Sequence, residues 1–176
     1  MNYGKITFCD PANGIGCRTV LFVSGCRHHC KGCFNPETWD FDYGWPITDV
    51  TKQLIIYSLK QPGINGLTLL GGEPMDIRNQ PEVYRLLYEV KEKVPEATIW
   101  VYTGYTWEDL IDPYDTDCHG IFTSDILQMV DVLVDGEFEI DKKNLMLRFR
   151  GSSNQRIIDV PETLANGRIV LSKYMD

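Results

Sequence analysis

The chain of 176 residues has no apolar run long enough to span a bilayer, so a membrane-crossing helix is not expected. It has no basic tail and no basic helix face. Asp and Glu number 25 against 17 Lys and Arg, a net charge of −8. Contact with a nucleic-acid backbone needs clustered cations, so nucleic acid is not an expected partner. There is no signal-peptide pattern, and several thiols look free, so a reducing cytoplasm is the expected location. Internal repeats, low-complexity segments and a Ser/His/Asp-type triad are also missing. What remains is 43% hydrophobic and 11% aromatic, enough for a real core, and the length fits one domain over residues 1–176.

The chemistry concentrates in one stretch. Ser24–Asn35 reads S-G-C-R-H-H-C-K-G-C-F-N and holds Cys26, Cys30 and Cys33. It follows the apolar run Val20-Leu21-Phe22-Val23, which predicts a buried strand over Arg18–Ser24. Thiolates bind zinc, copper(I) or the iron of an iron–sulfur cluster. Structural zinc is usually closed by four protein ligands, often from two cysteine pairs. Here one triplet stands alone, with no second pair downstream. Three cysteines on a four-iron cluster leave one iron open, and an open metal position is what chemistry requires. Spacing favours the cluster. A zinc site completed by His28 or His29 is the main competitor, and a disulfide is a weaker third reading. Cys9, Cys17 and Cys118 have no close cysteine neighbour and fit buried apolar positions.

Further motifs follow other expected strands. Gly66–Leu70 runs into Gly71-Gly72-Glu73-Pro74, Thr98–Tyr102 into Thr103-Gly104-Tyr105, and Val132–Val134 into Asp135-Gly136. Helices are expected from Thr48 or Asp49 to Lys60 with an apolar stripe at Leu54, Ile55 and Leu59, over 80–93, over Thr106–Ile111 and over Asp125–Val130. Leu145–Phe149 and Arg168–Leu171 are weaker strand candidates. Alternating strands and helices predict an α/β fold with a mainly parallel sheet, whose ligands bind beyond the carboxyl ends of the strands. That rule puts the cysteine triplet, G-G-E-P and T-G-Y at one shared site. Gly71 and Gly72 would let the backbone approach a ligand, and Glu73 would accept a hydrogen bond from an ammonium group. Asp135 could hydrogen-bond near the pocket, but beside Glu137, Glu139 and Asp141 it reads as a solvated turn residue. Trp39, Phe41, Tyr43 and Trp45 suit an ordered loop, with core packing or shielding of the cluster as their use.

The triplet resembles the cluster motif of the radical S-adenosylmethionine (SAM) enzymes. More narrowly, the chain is similar to the activating proteins of anaerobic ribonucleotide reductases. The pieces that carry this are Met1-Asn2-Tyr3, Asn13-Gly14, the triplet, G-G-E-P, Trp100–Tyr105, Val134-Asp135-Gly136 and the R-G-S-S-N-Q of Arg150–Gln155. The resemblance implies an abbreviated, open (β/α) partial barrel. It implies a 4Fe–4S cluster on Cys26, Cys30 and Cys33, with SAM on the fourth iron. SAM would lie against Gly32, Cys33, Phe34, Gly71, Gly72 and Glu73, with Thr103 and Gly104 toward the ribose. The implied activity is cleavage of SAM to methionine and a 5′-deoxyadenosyl radical, which makes a glycyl radical on the large subunit of anaerobic ribonucleoside-triphosphate reductase. The electron source would be a small carrier such as flavodoxin. A zinc-stabilised interaction domain and a simple iron–sulfur electron carrier are the alternatives. The carrier would need a fourth ligand from Cys9, Cys17 or Cys118.

Overall fold

Four short apolar runs form the centre of the sheet. In the computed structural model, which describes residues 1–175, they are β2 (Cys17–Val23), β4 (Ile64–Gly71), β5 (Thr98–Tyr102) and β6 (Val132–Asp135). These lie side by side and parallel. Three antiparallel edge strands complete a seven-stranded sheet in the order β3-β1-β2-β4-β5-β6-β7. The edges are β1 (Asn2–Asp10), β3 (Trp45–Pro46) and β7 (Arg156–Asp159). The sheet is open, with a parallel heart, in keeping with a partial barrel.

Helices connect the parallel strands. They are α1 (Asp49–Leu59), α2 (Gln80–Lys93), α3 (Trp107–Ile111) and α4 (Thr123–Met129), and α5 (Val160–Asn166) follows β7. Thr48 caps α1 and Thr106 caps α3, each through a reciprocal capping box. In α2, Val83, Leu86, Leu87 and Val90 recur at helical spacing and are fully buried. Each such side chain contributes about 1.5–3 kcal/mol relative to an exposed one. Strand alternation separates two cores. Leu21, Leu67, Leu69, Ile99, Val101 and Leu133 face the helices, while Trp100, Val132, Val134 and Ile157 face the other way, into the mouth of the open barrel.

Arg18 plugs the base of that barrel at 1% exposure. Its guanidinium donates to Thr68 Oγ1, Thr98 Oγ1 and the carbonyls of Ile15, Leu67 and Thr98, at 2.7–3.3 Å. No carboxylate pairs with it among the described residues, and burial lowers its pKa to about 10. It therefore stays charged at neutral pH, held by dipoles rather than by a counter-ion.

Several expectations are corrected. The amino-terminal segment, for which no strand was expected, is a nine-residue strand, hidden in the sequence by breaks in register at Gly4 and Cys9. The bulge between Phe8 and Asp10 brings Cys9 and Cys17 together. Their Cα atoms are 4.7 Å apart, and the two are joined as a disulfide, so they are not buried apolar thiols. Leu54 points to solvent at 48% exposure, and Ile56 takes its place in the apolar stripe. Leu145–Phe149 is a loop, and Arg168–Leu171 keeps only a single bridge, Ile158 to Leu171.

Asp135 is not solvated. It is fully buried, accepts from Trp107 N at 2.7 Å and pairs with Arg156, whose Nε lies 2.9 Å from Oδ1. It thereby ties β6 to α3 and β7. Removing the cation leaves a buried carboxylate uncompensated. Arg156→Leu is expected to cost about 3–5 kcal/mol in urea unfolding of the metal-free chain. A loss below about 1 kcal/mol would mean that the pair is solvated in solution.

Candidate functional site

The cysteine loop leaves β2 and is pinned at once by its backbone. Ser24 N donates to Asn2 O, Gly25 N to Thr38 O and Cys26 N to Trp39 O, at 2.8–3.1 Å. The residue before each cysteine has a left-handed backbone: Gly25 at φ 96°, His29 at 51° and Gly32 at 76°. The chain thus reverses before every thiol, and Cys26, Cys30 and Cys33 all line one cavity of about 520 Å³. Glycine adopts this conformation freely. A histidine there costs about 1–2 kcal/mol. The His29 ring stacks on Trp39 at 4.7 Å and 10°, a contact that helps to hold the strained turn.

The other motifs meet this loop at the strand ends. Glu73 N donates to Gly25 O at 2.7 Å, and Gly72 N to Val23 O at 2.8 Å. A Cβ on Gly72 would lie 2.6 Å from Gly25 O and 2.9 Å from Thr38 O. The space that glycine frees is therefore taken by the chain's own backbone as well as by the cavity. The Glu73 side chain is 1% exposed. Its Oε1 accepts from Met75 N at 2.8 Å, and its Oε2 from Gly104 N at 2.7 Å and from His28 Nε2 at 3.1 Å. One carboxylate thus ties G-G-E-P to T-G-Y and to the cysteine loop. Burial alone would lower the His28 pKa, but the hydrogen bond and charge of Glu73 outweigh it and hold it above its ordinary value.

The fate of the two histidines bears on the metal. His28 is committed to Glu73 and packs edge-on against Tyr105 at 4.4 Å, while His29 is stacked on Trp39. Among the described residues, no three or more His, Cys, Asp or Glu side chains converge on a single-ion position. A cubane instead places each cysteine on a different iron, which suits thiols spread along one cavity wall. Burial, followed by the charge of Glu73, pushes the Cys26 thiol up to about 12. Burial and the charge of Glu137 push Cys30 up to about 11. Only a strongly cationic group would hold these as thiolates. Asn35 N already donates toward Cys33 Sγ at 3.4 Å, the kind of contact that a metal-bound sulfur accepts. The donor set fits an iron–sulfur cluster.

The rest of the wall fits a polar, ring-bearing ligand. Gly71, Gly72, Glu73, Thr103, Gly104, Phe22, Leu70 and Tyr102 line the cavity with the cysteines. Tyr102 Oη and Arg150 Nε are buried without a hydrogen-bond partner among the described residues, as expected where a ligand supplies the missing groups. Phe34 stands at the rim, 59% exposed, with Phe138 5.1 Å away and Lys143 Nζ over its ring at 4.8 Å. Gly32, expected against SAM, is not on the cavity wall; it turns the loop before Cys33, and a Cβ there would lie 2.8 Å from Ile140. Of the four aromatics after the triplet, Trp45 belongs to the edge strand β3 rather than to a loop, and only Trp39 reaches the cavity. Phe41 receives the Arg78 guanidinium at 3.8 Å, and Tyr43 and Trp45 are exposed. Cys118 is fully buried in the helical core and is not part of the cavity wall.

Comparison with known proteins agrees with this geometry. Residues 12–158 match the model of a 4Fe-4S single cluster domain. The anaerobic ribonucleoside-triphosphate reductase-activating protein of Enterobacteria phage T4 is 42% identical over 159 residues, 89% of this chain and 93% of that protein. The protein of the same name from Pasteurella multocida is also 42% identical, over 96% of its length. That of Escherichia coli K12 is 38% identical over 157 residues and 96% of its length. The chain belongs to this family of reductase-activating proteins.

Beside these activating proteins, the site contains residues that short motifs do not reveal. Asn79, 1% exposed, donates to Ser24 O at 3.0 Å and Glu73 O at 2.9 Å, and so bolts the cysteine loop to G-G-E-P. Nothing in the sequence marks it except its place six residues after Glu73. Tyr102, the last residue of β5, stands in an expected strand and motif, but the motif gives no sign that its buried hydroxyl faces the cavity. Among the described residues, no helix is long and apolar enough to cross a membrane.

Proposed function

We propose that the chain is a radical SAM activase of an anaerobic ribonucleoside-triphosphate reductase. The observation that carries this is one cavity lined by three cysteines from one loop and by the ends of β4 and β5, in a chain of this family. Cys26, Cys30 and Cys33 hold the 4Fe–4S cluster. Glu73, Gly71 and Gly72 meet the methionine end of SAM, Phe34 with Gly32 and Cys33 its adenine side, and Thr103 and Gly104 its ribose side. When bound and reduced, the cluster supplies the electron that breaks SAM to methionine and a 5′-deoxyadenosyl radical, which removes hydrogen from a glycine of the reductase large subunit. The protein's own part is to bind, orient and shield. Trp39, Leu70 and Phe22 keep water from the cavity wall, and Glu73 and Asn79 fix the cysteine loop against the strand ends. A flavodoxin-like carrier is the proposed electron donor, and the cytoplasm the proposed location.

The test is anaerobic reconstitution followed by reduction with SAM present. Iron and acid-labile sulfide should be incorporated together, and methionine and 5′-deoxyadenosine should form. With the reductase large subunit added, a glycyl radical should appear by electron paramagnetic resonance. Zinc without sulfide would leave an interaction domain as the better reading. A radical formed only on some other glycyl-radical enzyme would change the partner.

A further inference from the structure

Residues 142–150 read K-K-N-L-M-L-R-F-R. On a chain of net charge −8, this loop carries Lys142, Lys143, Arg148 and Arg150 with no carboxylate among them. Its two feet are pinned side by side: Lys143 bridges Ser152, Asn144 N donates to Gly151 O at 3.3 Å, and Ser153 N donates to Lys142 O at 3.0 Å. The R-G-S-S-N-Q segment supplies the anchor. Gln155 Oε1 accepts from Gly151 N and Ser152 N at 2.8 and 3.2 Å, and Arg150 donates to Met175 O at 2.9 Å. That segment is thus a base rather than a free surface, and the free surface is the loop standing on it.

The inner side of the loop, with Leu147 and Phe149, lines the proposed SAM cavity. Its tip is open: Met146 is 87% exposed and off the cavity wall, and Leu145, 84% exposed, stands at the lip, while Phe34 lies by Lys143 at the foot of the loop. Two of its cations are already used, Lys142 by Glu139 and Arg150 by backbone carbonyls. Lys143 and Arg148 make no ion pair among the described residues and lie over the rings of Phe34 and Phe149, at 4.8 and 5.2 Å. An apolar tip flanked by two unpaired cations, at the lip of a cavity, combines an anchor with electrostatic steering. Two cations on so acidic a chain are too few for a nucleic-acid backbone.

We propose that the Lys142–Arg150 loop is the docking element for the protein substrate, and that it takes an acidic segment with apolar side chains beside that partner's target glycine. The proposal rests on the activase reading and names the surface that reading leaves open. The test uses the reconstituted chain with the reductase large subunit. Arg148→Glu and Met146→Ser, singly and together, alter loop residues that are not themselves on the cavity wall. With dithionite as reductant and no reductase, both should form 5′-deoxyadenosine as the unaltered chain does. The reductase concentration giving half-maximal glycyl radical should rise about tenfold or more for the double variant. Activation by the unaltered chain should weaken with added salt, Arg148→Glu should lose that dependence, and Arg148→Lys should keep it. Sedimentation of the two proteins together, which needs no radical chemistry, should show the same weakening. If the unaltered chain fails to cleave SAM, the activase reading falls, and sedimentation still decides the docking. Equal binding and activation by all variants would overturn the proposal. So would a defect seen only with flavodoxin as reductant, which would assign the loop to the electron donor.

Discussion

Alanine at Cys26, Cys30 or Cys33, one at a time, is expected to leave the chain without visible cluster absorption, without bound sulfide and without SAM cleavage. Each thiol lies on the wall of the same cavity, and each follows a left-handed residue that turns the chain toward it. Among the described residues, no fourth cysteine lines that wall to take over a lost ligand. The remaining cysteines should behave differently, and for separate reasons. Cys118→Ala removes a thiol from the helical core, with a packing loss of about 1 kcal/mol and the cluster intact. Cys9→Ala and Cys17→Ala break a bridge that closes a short loop, with a loss of about 2–3 kcal/mol under oxidising conditions and almost none under reducing ones. Cluster absorption, sulfide content and thermal unfolding, measured together, separate the classes. A variant of Cys9, Cys17 or Cys118 that loses the cluster with its fold intact would mean a fourth cysteine ligand and a closed iron. An electron carrier would then be the better reading.

The sequence made the middle of the sheet legible and its edges obscure, for physical reasons. Strands β2, β4, β5 and β6 are buried on both faces, so each is a short continuous apolar run. Strand β1 has a solvent-facing side and two irregularities, and β7 is only four residues long, so neither has a pattern of its own. The loop at Leu145–Phe149 looked like a strand because it opens on the apolar run Leu145-Met146-Leu147 and closes on Phe149. Those apolar residues serve a cavity wall and an exposed tip rather than a core. The site divides in the same way. The cysteine triplet, G-G-E-P and T-G-Y are local signals, and strand polarity brings them together. The grip of Asn79 on Ser24 and Glu73, the Asp135–Arg156 pair and the Cys9–Cys17 bridge depend on which strands lie next to each other, and spacing does not encode that.

Glu73 is where local motif and long-range bracing coincide, and its substitution should have the second large effect. An ionised carboxylate offers about four acceptor positions. Met75 N, Gly104 N and His28 Nε2 occupy three of them, which leaves one free, the position that the proposed function gives to the ammonium group of SAM. Glu73→Ala removes the acceptor from two buried N–H groups, at about 1–3 kcal/mol each, and frees His28 from its place between Cys26 and Cys30. It therefore tests bracing and binding at once. Glu73→Gln is the sharper probe, because it keeps the shape and one acceptor oxygen but removes the charge and sets an N–H₂ against donors. Losing one member of a buried charged hydrogen bond costs about 2–5 kcal/mol, so SAM affinity should fall by more than about thirtyfold. Iron and sulfide content should stay close to that of the unaltered chain, since Asn79 and the backbone of Glu73 still hold the cysteine loop. Equilibrium binding of SAM to the reconstituted variant decides the matter. Normal affinity in Glu73→Gln would leave this residue a brace between three loops and would move recognition of the ammonium group to another part of the cavity wall.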